Sequence, residues 1–392
     1  MKIGLFFDTY YPQKNGVATS ALYLTQALRK IGNQVFVVVP KIKGYITQDK
    51  DEFRIPSIKA WPSLPDSVRI PTLMPDKVWL EIFKQNYDII HSDGNGFFSF
   101  IGLLVAKGKK IPYVFTFHTV YSHYTHYIFN GKLIPPKVIN WGMKIFGNLC
   151  DGIIVPSEKM YDELIAIGIK KPITVIPSFI DLEKFNTKKG GFLHKLCQIA
   201  KEDKILLSVG RLEKEKNFEF LIRAFQKVAK GYLNVHLVIV GEGSQRKNLE
   251  NLIKSIDLEK RVHFTGEIDM ELMSLVYKDA DIFVFSSVSE TQGLCVLEAA
   301  ASRLPLVLVD DLAYKGVILD NKNGFSLPLD QQLFVDKILL LIKDARLRQT
   351  FGEESKQLVE SNFSEKPLVD KLVKLYKSYI LKNAHKTYAT TN

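Results

Sequence analysis

The chain has 392 residues, more than one hydrophobic core ordinarily serves, with 46% hydrophobic and 24% charged residues and a formal net charge of +11. This balance excludes an extended disordered chain. The three cysteines, Cys150, Cys197 and Cys295, are too few and scattered for a disulfide framework or a zinc site, and no run reaches the roughly eighteen apolar residues of a membrane span.

The first element in chain order is Ile3–Phe7 in MKIGLFFDTYYPQ. Its apolar run stops at Asp8 with no small-residue cleavage site behind it, so it reads as a strand and not a signal peptide. Apolar runs follow at 35–39 (VFVVV), 88–92 (DIIHS), 113–117 (YVFTF), 152–156 (GIIVP) and 173–177 (ITVIP). A second series occupies 204–210 (KILLSVG), 235–241 (VHLVIVG), 262–266 (VHFTG), 281–286 (DIFVFS) and 305–310 (PLVLVD). Hydrophobicity that is continuous, not alternating, means burial on both faces, as in parallel strands covered by helices. The expected fold is α/β: two Rossmann-like, doubly wound parallel-sheet domains with the carboxyl ends of their strands facing a cleft. Expected boundaries are 1–180, 181–363 and 364–392, the last a lysine-rich amphipathic helix and tail able to cross back to the first domain.

Chemistry gathers at strand ends in the second half. Arg211 and Lys216 leave the strand KILLSVG together, just before the helix NFEFLIRAFQKVAK. Two cations, free backbone N–H groups and the positive end of a helix dipole suit a diphosphate. The bland alternative pairs them with Glu213 and Glu215. The next strand ends in VGEGS, where Gly241 and Gly243 permit close backbone approach, and VHFTG supplies Thr265 and Gly266. After DIFVFS the loop SSVSETQG leads into a helix, GLCVLEAAAS. Glu290 reaches out from the loop and Glu298 from the helix, while Gly293 permits the turn and the N–H groups of Gly293, Leu294 and Cys295 can meet a sugar hydroxyl or a phosphate oxygen. The competing reading makes Glu290 a neighbour of the helix cap and pairs Glu298 with Arg303.

Residues 1–180 carry eight of the eleven excess positive charges, which points to an anionic partner on that half, acidic lipid or nucleic acid. No nucleic-acid reader motif is present. The stretch from Trp61 to Lys84 and the later KLIPPKVINWGMKIFGNLC mix Trp61, Trp79, Trp141 and other apolar residues with Lys132, Lys137 and Lys144. That mixture fits a surface lying on a membrane, or a buried interdomain helix. His123 and His126 stand at H-x-x-H spacing among Tyr121, Tyr124 and Tyr127, but lack a nearby carboxylate, so an aromatic acceptor wall is preferred to a metal site.

SETQGLCVLEAAAS, with SVGRLEKEKN, LVIVGEGS, VHFTGEI and FFDTYYPQKNGVATS, resembles the retaining GT-B glycosyltransferases that use nucleotide sugars. FTFHTVYSHYTHY, and Thr-Gln-Gly after Glu290, narrow the likeness to bacterial diacylglycerol glycosyltransferases of the 1,2-diacylglycerol 3-alpha-glucosyltransferase type. The resemblance implies that Arg211 and Lys216 neutralise the leaving diphosphate in place of a metal. It gives Glu298 the ribose hydroxyls and Glu290 the donor sugar. Gly16 would open backbone N–H groups to the donor phosphate, and His118 would touch the sugar near the reacting centre. It further implies a UDP-hexose donor (glucose or galactose), diacylglycerol as acceptor, no required cofactor, and anionic lipid as a candidate activator. The implied place is the cytoplasm, attached peripherally to the inner face of the cell membrane. Another lipid or polysaccharide acceptor stays open, as does a GT-B nucleotide-sugar epimerase.

Overall fold

The computed structural model describes residues 1–13, 16–59, 69–72, 77–94, 96–119, 135–187 and 190–391, with side chains through residue 385. These divide into two compact units. Unit 1 comprises Met1–Phe179 and Glu365–Asn392, and unit 2 comprises Ile180–Ser364.

In unit 1 the chain runs β1 (Lys2–Phe7), α1 (Gly16–Lys30), β2 (Gln34–Pro40), β3 (Glu52–Ile55), the hairpin strands β4 (Ser57–Lys59) and β5 (Arg69–Pro71), α2 (Lys77–Lys84), β6 (Ile89–Asp93), α3 (Phe97–Lys109), β7 (Tyr113–Thr116), α4 (Pro136–Leu149), β8 (Gly152–Val155), α5 (Glu158–Ile167) and β9 (Ile173–Val175). Seven strands form one sheet in the order β3-β2-β1-β6-β7-β8-β9, and all its pairings are parallel. The order reverses between β1 and β6, so the crevice where such sheets bind ligands lies past Phe7 and Asp93.

Unit 2 runs α6 (Phe192–Leu196), β10 (Lys204–Val209), α7 (Phe218–Gly231), β11 (Val235–Val240), α8 (Arg246–Ser255), β12 (Val262–Gly266), α9 (Met273–Lys278), β13 (Ile282–Phe285), α10 (Leu294–Ala301), β14 (Leu306–Val309), β15 (Gly324–Leu327), α11 (Gln331–Lys343) and α12 (Ala345–Asn362). Its parallel sheet has the order β12-β11-β10-β13-β14-β15, reversing between β10 and β13. The helices cover it by the usual periodicity: in α7, Phe218, Leu221, Ile222, Phe225 and Val228 share the buried face.

The last helix, α13 (Glu365–Thr391), belongs to unit 1. Lys30 pairs with Glu365 at 3.2 Å, the Lys371 ammonium donates to the Val175 carbonyl, and Asn383 donates to that of Lys110. Deepest is Tyr376, fully buried, whose hydroxyl lies 2.5 Å from His91 Nδ1, while His91 Nε2 lies 2.6 Å from the Thr116 hydroxyl. Burial, helped by His118 nearby, pushes the His91 pKa down to about 3. Asp8, just past β1, accepts from the N–H groups of Gly96 (2.8 Å) and Phe98 (2.9 Å) and the Ser99 hydroxyl (2.8 Å), tying β1 to the start of α3. Burial outweighs those bonds and raises its pKa to about 6.

These two groups act on stability with opposite signs. His91 holds on to its proton less tightly folded than unfolded, so its contribution is complete above its ordinary 6.5 and is lost as pH falls toward 3. Asp8 contributes fully below its ordinary 3.8 and loses that contribution as pH rises through 6. In urea unfolding across pH, His91→Gln is therefore expected to lower stability at neutral pH and to remove an acid-side slope of up to about 1.4 kcal/mol per pH unit. An unchanged slope below pH 6.5 would show that His91 titrates normally in the fold.

Candidate active site

The topology of unit 2 brings two loops together, the one leaving β10 and the one leaving β13, because those strands are neighbours at the reversal. Side chains of the second loop hold the backbone of the first. The Ser286 hydroxyl donates to the carbonyls of Lys216 (3.0 Å) and Asn217 (2.9 Å), the Ser287 hydroxyl to that of Glu215 (3.3 Å), and Val288 N–H to the same Glu215 carbonyl (3.2 Å). Across this seam Lys216 makes a very short ion pair with Glu290. Both are nearly enclosed, with side chains 14% and 10% exposed, and the ammonium stands 5.8 Å from the centre of the Phe285 ring. Glu290 is held from behind as well, since its N–H donates to the Asp311 carboxylate at 3.2 Å.

Arg211 lies on the same loop in a different state. It is 49% exposed and pairs with Glu215 at 3.3 Å, while Glu213 turns away to accept from the N–H and hydroxyl of Ser244. Half of the bland sequence alternative thus holds: Arg211 takes Glu215, while Lys216 reaches across to Glu290.

Glu298, in the second turn of α10, accepts a 2.7 Å hydrogen bond from Tyr277 of α9. Arg303 pairs instead with Glu353 at 3.0 Å, so the alternative pairing of Glu298 is not the one formed. Burial raises the Glu298 pKa to about 7, against the lowering effect of the Tyr277 bond. Burial also pushes the Cys295 thiol well up, with Glu290 and Glu298 adding to the effect and Lys216 opposing it.

Glycine supplies close approach at two points. At Gly241 (φ +137°) any Cβ would run into the Gly210 carbonyl, which keeps the loop after β11 flush against the loop after β10. At Gly293 (φ +74°) a Cβ would come to 2.8 Å from the buried ring of Tyr314, and from there α10 starts with no acidic residue in its first turn. Gly243 and Leu294 stand on the same edge. Thr265 spends its hydroxyl locally, on the Gly266 carbonyl at 2.9 Å.

In unit 1, His118 follows β7 and its Nε2 lies 2.8 Å from the Asp93 carboxylate at the end of β6; the side chains are 13% and 2% exposed. Gly16 opens α1, whose basic last-turn residues Arg29 and Lys30 suit the negative end of the helix dipole. Lys137, Trp141 and Lys144 lie on the outer side of α4, with Trp141 65% exposed. Trp79, on α2, is half-buried: its ring packs on the unit 1 core and stacks against the exposed Phe83. Trp61, Tyr121, Tyr124 and the His123/His126 pair lie outside the described residues. Among the described residues no group of three or more His, Cys, Asp or Glu is placed to hold a metal ion, and no helix is long and apolar enough to cross a membrane.

The sequence reading missed Tyr277, Asp311, Asp93 and Tyr314. The one signal within reach was position, since Asp93 and Asp311 both fall at carboxyl ends of strands recognised from the sequence.

Two parallel doubly wound sheets, with a carboxylate–lysine seam at the reversal of the second, define a GT-B glycosyltransferase. Family models agree: glycosyl transferases group 1 matches residues 193–358, and glycosyltransferase family 4 matches residues 14–184. The alpha-monoglucosyldiacylglycerol synthase of Streptococcus pneumoniae is 36% identical over 345 residues, covering 83% of this chain and 74% of that protein. The synthase of the same name from Acholeplasma laidlawii is 31% identical over 359 residues, covering 85% and 86%. Among solved structures, Anabaena HepE in complex with UDP-glucose superposes with a TM-score of 0.75 at 16% identity, covering 96% of this chain and all of that one (100%). The chain belongs to this glycosyltransferase family and is a hexosyltransferase.

The buried pair and the exposed pair should respond differently to truncation. Lys216→Ala strands the Glu290 carboxylate and is expected to lower unfolding stability by about 3 kcal/mol or more, whereas Arg211→Ala should cost less than about 1 kcal/mol. Combining Lys216→Met with Glu290→Gln should recover most of the loss in urea titrations. Equal, small effects for Lys216→Ala and Arg211→Ala would mean the pair is solvated in solution.

Proposed function

We propose that this enzyme moves a hexose from a UDP-sugar to 1,2-diacylglycerol with retention of the anomeric configuration, working at the anionic inner face of a membrane. The carrying observation is the enclosed Lys216–Glu290 pair at the reversal of the unit 2 sheet, with Arg211 on the same loop as Lys216 and Glu298 on the helix that the Glu290 loop enters. Supporting the donor are the UDP-glucose bound to HepE and the position of the cluster; supporting the acceptor are the two synthases named above.

In this reading unit 2 holds the donor. Glu298 accepts from the ribose hydroxyls, and the amides of Gly293 and Leu294 approach the phosphates beside Gly241 and Gly243. Glu290 faces the sugar. The bond between the anomeric carbon and the β-phosphate oxygen breaks, a bond from the acceptor oxygen forms on the same face, and the hydroxyl proton passes to the departing phosphate. Charge grows on the diphosphate as this happens, and cations already in place stabilise it without reorganisation. Arg211 and Lys216 have that role. In unit 1, His118 paired with Asp93 serves the reacting centre, and the exposed basic and apolar helix α4 adheres to the lipid surface.

Mass spectrometry of products formed from UDP-glucose or UDP-galactose with diacylglycerol should show one monohexosyl-diacylglycerol. Arg211→Ala should lower kcat by about a hundredfold or more while leaving stability nearly unchanged. Product from neither donor, or full turnover by Arg211→Ala, overturns the reading.

Ribose binding by Glu298 has its own signature, because a carboxylate accepts at both oxygens and its protonated form does not. With the pKa at about 7, calorimetric affinity for UDP-glucose should rise about tenfold from pH 6 to pH 8. Glu298→Gln should flatten that rise; a pH-independent affinity in the wild type counts against ribose contact.

A further inference from the structure

Unit 1 contains an apolar groove of about 410 Å³ that the residues discussed so far leave unused. Its walls are Phe97 and Phe100 of α3 and Ile139, Gly142, Met143 and Phe146 of α4. No charged side chain is among the described residues lining it, so a nucleotide or a sugar has nothing to bond there. Phe97 and Phe100 are 48% and 47% exposed, although rings of that size ordinarily sit in the core.

Two observations indicate what covers these rings. The groove includes the strand end next to His118: Phe117, the residue before it, belongs to the lining, as does Gly96, whose N–H donates to Asp8. The outer face of α4 carries Val138, Trp141, Ile145 and Leu149 at spacings of three and four, with exposed Lys137 and Lys144 beside them. A stripe of apolar side chains flanked by ammonium groups complements an anionic lipid surface, where a soluble partner would need matching carboxylates and its own apolar patch.

We propose that the groove between α3 and α4 holds a fatty acyl chain of the lipid acceptor, leaving its free hydroxyl beside His118 and Asp93; the assignment rests on the lipid-acceptor reading above. The groove is the feature that distinguishes a lipid acceptor from a soluble glycerol or sugar.

Gly142 offers a clean block. An added Cβ there meets no atom within 4 Å, so Gly142→Phe starts a bulky side chain from an open position on the groove wall, in a helix that tolerates the loss of glycine. The full chain and this variant are compared on water-soluble diacylglycerols from dibutyryl to dioctanoyl, kept below their aggregation concentrations. For the wild type, kcat/KM should rise about fourfold for each methylene that enters the groove. Gly142→Phe should lose that rise and fall at least tenfold behind on dioctanoylglycerol, with calorimetric UDP affinity unchanged. A chain-length-independent wild type, or a variant equal to it on dioctanoylglycerol, overturns the proposal.

Binding of cis-parinaric acid, followed by its fluorescence, reads the groove without turnover. Fluorescence enhancement by the wild type and its loss in Gly142→Phe support the groove; enhancement that survives the substitution overturns it. If the probe behaves as expected but no diacylglycerol is glycosylated, the acceptor reading fails and the acyl ligand stands. A dimer in sedimentation that Gly142→Phe converts to monomer would make the groove a contact between copies and overturn the acyl assignment.

Discussion

The ion pair between Lys216 and Glu290 is the constraint around which unit 2 is arranged. Two charges so nearly withdrawn from water are costly to keep, and they persist because the seam has no freedom to part them. Strand neighbours β10 and β13 fix the two loops side by side, and Ser286, Ser287 and Val288 tie the backbone of one to the other. Asp311 then orients the Glu290 backbone from a third strand end. A cation held this firmly pre-empts the reorganisation that a flexible surface lysine would undergo on meeting a phosphate. Arg211 is the mobile counterpart: half exposed and paired locally, it can exchange Glu215 for another anion at small cost.

Unit 1 answers the same topological demand with different chemistry. Past its sheet reversal stand three buried polar groups, Asp8, Asp93 and His118, each supported from behind. Asp8 is bound by the first turn of α3, Asp93 by His118, and one strand residue deeper His91 spans Thr116 and Tyr376. Tyr376 lies on the last helix, so the final residues of the chain complete the packing beneath a cluster built from its beginning. With Lys371 and Asn383 donating to carbonyls of the same unit, this contact makes α13 an integral part of unit 1 and not an appended tail.

Whatever depended on continuous apolar runs was legible in the sequence, and that includes eleven strands. The strands that escaped notice are informative. β3 reads EFRI, with charges at two of four positions, and those charges are buried as a pair, Glu52 with Arg54 at 2.6 Å. β15, GFSL, is short and begins on a glycine that presses against the Leu306 backbone. At the candidate site the acids and cations were visible because they cluster in strand-end loops, but their partners were not. Pairing of Lys216 with Glu290 spans 74 positions and that of Tyr277 with Glu298 spans 21, and nothing in a single sequence reports such distances.

Placing the lipid in unit 1 and the nucleotide in unit 2 also assigns the energetics differently in each. In the proposed division, diphosphate recognition is electrostatic and local, set by the enclosed Lys216, the half-exposed Arg211 and a few amides. Lipid recognition cannot draw its affinity from the groove alone, because a chain leaving a bilayer for an apolar slot exchanges one hydrocarbon surrounding for another and gains little hydrophobic free energy. What holds the enzyme near its substrate must then be adsorption of the whole face, through the α4 stripe and its lysines, with the groove acting as a shape filter that admits a chain and aligns the attached hydroxyl. The uneven charge of the chain accords with this proposed division. Excess positive charge accumulates where a broad, weak attraction to a surface is needed, and unit 2, whose anionic ligand is gripped at close range, can remain near neutrality.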